Sequence, residues 1–210
     1  SMADVTASGT QLGDTTSDIE VDPKFLSASN DGVIIDFILG KMENGKLVPT
    51  LGGHDITTDN AQKDPYVQAW VGYVKDMQQQ AKGKHVIISF GGADNASDLA
   101  AVAINNHLSL AQAQSDVEHA MREVLLVFDA NSPSNNHIAF DFDIEGGMES
   151  NDAAVSLYVK ALQDLTHKGS LLGFKNKNGL QITDGLTIPT LQTGLDSAGQ
   201  TLVKTFSQIN

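Results

Sequence analysis

The sequence contains no cysteine. Disulfides and thiolate metal sites are thereby excluded, while the choice between a reducing and an oxidising compartment stays open. Basic residues are scarce, thirteen Lys and Arg against twenty-six Asp and Glu, for a formal net charge of -13. That balance argues against a nucleic-acid backbone or an anionic membrane surface as partner and suits a neutral ligand. No apolar run reaches the ~18 residues of a membrane span, and the first residues lack the basic and apolar regions of a signal peptide. A soluble chain is expected. Ser1-Met2 has the look of an expression scar, which leaves room for a leader already removed. His54, His85, His107, His119, His137 and His167 include no close pair at metal-ligand spacing, so neither metal nor cofactor is expected.

What is present is a chain of 210 residues at 40% hydrophobic content. That suffices for one sizeable domain but falls short of the roughly 250 residues of a complete eight-stranded α/β barrel. Residues 1–24 are rich in Ser, Thr, Asp and Gly without a sustained apolar period and read as a flexible arm, leaving 25–210 as the domain. Val33 to Leu39 is an almost continuous apolar run between Gly32 and Gly40, as a strand buried on both faces requires. A loop is expected next. Val67, Trp70, Val71, Val74 and Met77 then fall at helical spacing until Gly83.

His85 to Phe90 reads as a second buried strand, with a helix to follow around residues 95–104. Ser115 and Glu118 form a capping box ahead of a helical face with Val117, Met121, Val124, Leu125 and Phe128. His137 to Ile144 is a third strand, and Ser150 or Asn151 caps a helix carrying Ala154, Leu157, Tyr158, Ala161, Leu162 and Leu165. Leu180 to Ile188 reads as a fourth strand and Leu195 to Ile209 as a last helix. Strand and helix alternate throughout. Such alternation predicts an α/β fold with a parallel sheet, either doubly wound or part of a barrel.

The third strand departs from its neighbours. Ile138, Phe140, Phe142 and Ile144 share one face, while Ala139, Asp141, Asp143 and Glu145 share the other. Carboxylates crowded on a face that should be apolar repel one another and lose hydration, which raises the pKa of at least one and makes it a candidate general acid. Glu145 would stand at the C-terminal end of the strand, where active sites of parallel sheets and barrels are found, and Gly146-Gly147 let backbone and ligand approach closely. Two plainer readings stand beside this one: the solvated face of an edge strand, or a calcium site. The second lacks the looped ligand spacing of a calcium loop.

Phe140-Asp141-Phe142-Asp143-Ile144-Glu145 resembles the strand-four signature of family 18 glycoside hydrolases, the chitinase family, written D-G-x-D-x-D-x-E. Ile138 and Ala139 replace its leading Asp and Gly. Ser89-Phe90-Gly91-Gly92 is similar to the family's strand-three S-x-G-G, and Leu186 to Leu195 to its strand-five segment. The stretch from Phe37 to His54 is similar to strand two, so the resemblance runs over residues 30–206. It implies a (β/α)8 TIM barrel, here partial, with about four parallel strands and alternating helices standing for family strands two through five. It also implies retaining hydrolysis of β-1,4-linked N-acetylglucosamine polymers by substrate assistance.

In that scheme Glu145 protonates the glycosidic oxygen, Asp143 orients the substrate's N-acetyl group, and Asp141 supports the pair. Ser89, Gly91 and Gly92 frame the site, the glycines as a tight strand-to-helix turn or as room for a sugar ring, and Phe37 either borders the sugar or belongs to the core. The expected partner is chitin or an N-acetylglucosamine oligosaccharide, in a secreted setting. No family-like first strand precedes Val33, and neither the sixth strand's Tyr nor the late Trp is found; Trp70 reads as core. A fragment is therefore expected, completed by a missing half or by self-association. An endo-acting glycosidase of glycoprotein cores and a non-catalytic lectin-like barrel share the motif; the retained Glu145 counts against the second.

Overall fold

The computed structural model describes residues 2–6, 32–80, 85–92, 94, 96–106, 109–128, 138–144 and 151–167. In chain order the elements are β1 (Met2–Thr6), β2 (Gly32–Glu43), β3 (Lys46–Leu51), β4 (His54–Asp55), a 3-10 turn (Asn60–Gln62), α1 (Pro65–Gln80), β5 (His85–Gly92), α2 (Leu99–Asn106), α3 (Leu110–Phe128), β6 (Ile138–Ile144) and α4 (Asp152–His167). The fold is α/β with a mixed sheet. Strands β1, β2, β5 and β6 are parallel and adjacent in chain order. One edge of β2 has two occupants: β1 pairs with Gly32 to Asp36, and β3, antiparallel, pairs with Leu39 to Glu43.

Local chemistry accounts for most of these elements. The β2–β3 hairpin turns on Asn44 and Gly45 at φ 50 and 74, and Asn-Gly is the pair that a two-residue hairpin with positive φ at both positions favours. Helix α1 starts with Pro65 at its first position behind Asp64, whose Oδ1 accepts from the Tyr66 N–H at 2.9 Å. Asp98 caps α2 by accepting from the Ala101 N–H at 2.9 Å, and Asn151 caps α4 by accepting from the Ala154 N–H at 3.2 Å.

Packing is one-sided. Along the registers Ile35–Ile88–Phe140 and Ile38–Phe90–Phe142, every side chain enters one apolar core, and all four described helices contribute to it. Trp70 of α1, Leu99 of α2, Val117 of α3 and Tyr158 of α4 are fully buried there. Each such side chain contributes on the order of 1.5–3 kcal/mol by leaving water. Ile87, which points the other way, lies outside that cluster.

Several sequence expectations need adjusting. The flexible arm expected over 1–24 meets a strand at Met2–Thr6, which pairs in parallel with β2 over Gly32 to Asp36. Five residues are too few for a period to emerge, and the ladder to β2 is a long-range partnership that local composition does not encode. The loop expected after Leu39 is the β2–β3 hairpin. Helix α3 begins at Leu110, capped by Ser109, so that Ser115 and Glu118 lie inside it. Ala113 is buried on the same face as Val117 and extends the apolar stripe backwards. The strand at 180–188 and the helix at 195–209 lie outside the described residues.

Candidate functional site

Two registers build the carboxylate face. Ser89 pairs with Asp141 and Gly91 with Asp143, so these four positions alternate with the core residues Ile88, Phe90, Phe140 and Phe142 and turn away from the helices. Asp141 is 7% exposed and Ser89 1%. The Ser89 hydroxyl donates to Asp141 Oδ2 at 2.7 Å. Burial pushes the Asp141 carboxyl above its ordinary value, and the hydrogen bonds from Ser89 and from the Phe142 backbone N–H partly offset this. Asp143, one pleat further on, is half-buried.

The glycines at the end of β5 receive parts of the protein's own chain. Gly91 has φ +115, and a Cβ there would fall on the carbonyl oxygen of Asp143. Gly92 has φ +88, and a Cβ there would lie 2.7 Å from Cδ2 of the Phe37 ring. Only glycine takes such backbone angles without strain while letting two groups come this close. Both residues continue β5, so the expected strand-to-helix turn does not begin at them. Phe37 is half-buried and lies outside the apolar core. It sits at an irregularity in β2, where the register to β5 shifts between Ile35 and Ile38 and the Asp36–Phe37 peptide is cis.

The structure thus brings Asp141, Asp143, Ser89, Gly91, Gly92 and Phe37 together on three adjacent strands, from the middle of β2 and of β6 to the C-terminal end of β5. Glu145, Gly146 and Gly147 lie outside the described residues. Behind this face an aromatic layer backs the carboxylates. Phe90 stacks on Phe142 with centroids 5.5 Å apart, and Tyr158 lies 5.2 Å from Phe142. The Tyr158 hydroxyl donates to Asp98 Oδ2 at 2.9 Å, a buried polar pair that ties α4 to the start of α2. Among the described residues no group of three His, Asp or Glu side chains is arranged to hold a metal ion.

Sequence reasoning passed over Asp36. It is 5% exposed in the middle of β2, and the available signal was its position: one ionisable residue inside an otherwise apolar run. It also passed over Asp98, whose signal is a cap residue directly before Leu99.

The chain matches no known protein family, curated protein or solved structure.

Proposed function

We propose that the protein is a chitinase-like glycoside hydrolase that cleaves β-1,4-linked N-acetylglucosamine polymers with retention, Glu145 acting as general acid. The observation that carries this reading is the carboxylate row of β6: Asp141, buried and hydrogen-bonded to Ser89 at 2.7 Å, with half-buried Asp143 at the next position on the same face. Glu145 is the next residue in that alternation. A carboxylate row in the interior of a parallel sheet is costly unless its charges are used, and its placement toward the strands' C-terminal ends fits the position of active sites in such sheets. Substrate assistance then gives each acid one task. Asp143 holds the acetamido group as its oxygen attacks the anomeric carbon, Glu145 gives its proton to the departing oxygen, and Asp141 beneath them balances charge.

A barrel wall accommodates this site better than a doubly wound sheet. Parallel strands adjacent in chain order with helices packed on one face support the barrel, because a doubly wound sheet carries helices on both faces and reverses its strand order. In the barrel, the face bearing Ser89 and Asp141 is the interior. The proposed substrate implies an extracellular setting.

The test is hydrolysis of a chromogenic N-acetylglucosamine oligomer by the full natural chain. Glu145→Gln is expected to reduce kcat by about a hundredfold or more, the range of a positioned general acid, with oligomer binding retained. Unchanged turnover in that variant, or binding without any turnover in the wild type, overturns the proposal.

A further inference from the structure

We propose that Asp36 belongs to the same carboxylate site as a positioning residue, sharing protons with Asp141 through the hydroxyl of Ser89. The proposal rests on the hydrolase reading for its functional meaning, but its geometry stands apart from it.

Ile35 and Ile38 are fully buried in the helix-side core and pair with Ile88 and Phe90, so the two registers bracket Ser89. The shift between them sets Asp36 and Phe37 of β2 together opposite that single residue of β5. Side chains alternate along a strand, and Asp36 follows the core-facing Ile35; it therefore turns to the face that Ser89 and Asp141 share. Neighbouring strands are about 4.8 Å apart, which sets Asp36 and Asp141 about 10 Å apart at the backbone with Ser89 between them. On the other side of β2, Thr6 of β1 is the register partner of Asp36. One row thus crosses the parallel strands, with an acid on each side of a serine.

The chemistry of the serine links the two acids. A hydroxyl has one proton to give and lone pairs to accept with. Ser89 gives its proton to Asp141 Oδ2 at 2.7 Å, so its oxygen is left to accept from the β2 side, where Asp36 stands. Two carboxyls joined in this way bind protons as a pair. By the same alternation and registers, the other described ionisable positions on this face are Asp4 of β1 and His85 of β5, before the row, Asp143 of β6, one pleat after it, and Lys41, Glu43, Lys46 and Asp55 of the hairpin strands, where Asp55 at 2.7 Å and Glu43 at 3.7 Å hold Lys41. None of them lies in the row. With the proposed reaction, the pair would keep charge from accumulating beneath Asp143 as positive charge forms and decays at the sugar.

Carbon-13 NMR titration of the aspartate carboxyls tests the pairing in the full chain, with or without substrate. In the wild type the resonances of Asp36 and Asp141 should each move in two steps at common midpoints. In Asp36→Asn, which preserves the shape, Asp141 should titrate in one step at lower pH because a like neighbour is gone. In Ser89→Ala it should move to higher pH because a donor is lost. Independent single-step curves in the wild type, or an unmoved Asp141 in a folded Asp36→Asn protein, overturn the proposal. The wild-type curves decide the question even if the variant fails to fold. For activity, Asp36→Asn should move the acid limb of the kcat/KM profile toward lower pH. Coupled titration in a protein that turns over no N-acetylglucosamine oligomer would sustain the pairing and reject the hydrolase reading alone.

Discussion

Replacing Tyr158 by Phe removes one oxygen atom from a fully buried site and leaves the ring in place. That oxygen donates to Asp98 Oδ2 at 2.9 Å and accepts from the Ala100 N–H at 3.3 Å. Asp98 is 2% exposed, so water cannot replace the lost donor. A hydrogen bond to a charged group contributes about 1.5–3 kcal/mol, and a loss of about 2–3 kcal/mol is expected at pH 7. The pH dependence separates this bond from simple packing. Burial already pushes the Asp98 carboxyl above its ordinary value, held in check by hydrogen bonds from Ala101, Tyr158 and Ala100. Without Tyr158 the folded-state pKa rises further. A carboxyl whose folded pKa lies above its unfolded one contributes stability at low pH that is lost as pH rises through the folded value. The variant's deficit should therefore be smallest in acid, about 1 kcal/mol for a neutral hydrogen bond, and should grow as Asp98 ionises. Urea unfolding of both proteins across pH 4 to 8 measures it. A deficit that is the same at every pH, or below about 0.5 kcal/mol at pH 7, would refute the reasoning.

Gly91→Ala places a methyl group on the carbonyl of Asp143 at a φ of +115, so a loss of about 2 kcal/mol or more is expected in the same unfolding assay. A variant as stable as the wild type would mean that β5 and β6 part easily. For Asp64, burial raises the carboxyl, but hydrogen bonds from His54, the Tyr66 N–H and Asn60 outweigh it and leave it below its usual value. Asp64→Ala should accordingly cost about 1 kcal/mol as a lost helix cap at neutral pH. The stability that Asp64 contributes is present above the unfolded carboxylate range and lost as pH falls through the lowered folded value, so the variant and the wild type should converge in acid.

The sequence showed the parts whose signals are local. Val67, Trp70, Val74 and Met77 at helical spacing mark the buried side of α1, and the apolar runs mark β2 and β5. Asn44-Gly45 is an equally local hairpin signal, directly behind the apolar run of β2. What could not be read was pairing. Nothing in Met2–Thr6 alone says that it lies beside β2, and nothing in the alternation of β6 says that Ser89 stands opposite Asp141. Asp141 and Asp143 were visible because two acids at alternate positions break a pattern; Asp36, a single acid in an apolar run, was not.

The two faces of β6 make unequal demands, and this decides how the site can be held. Phe140, Phe142 and Ile144 fix the strand from the helix side through Phe90 and Tyr158, so the backbone carrying Asp141 and Asp143 is set by apolar packing rather than by the charges. The carboxylates need not attract anything to stay together. The positions that face them on β5 are Ser89, which donates to Asp141, and Gly91, where a Cβ would fall on the Asp143 carbonyl, so the two strands lie close together. With the strand held in this way, the burial that raises the Asp141 carboxyl above its ordinary value is not relieved by movement. On this reasoning the aromatic layer and the glycines at the end of β5, rather than the charges, hold Asp141 and Asp143 where they are.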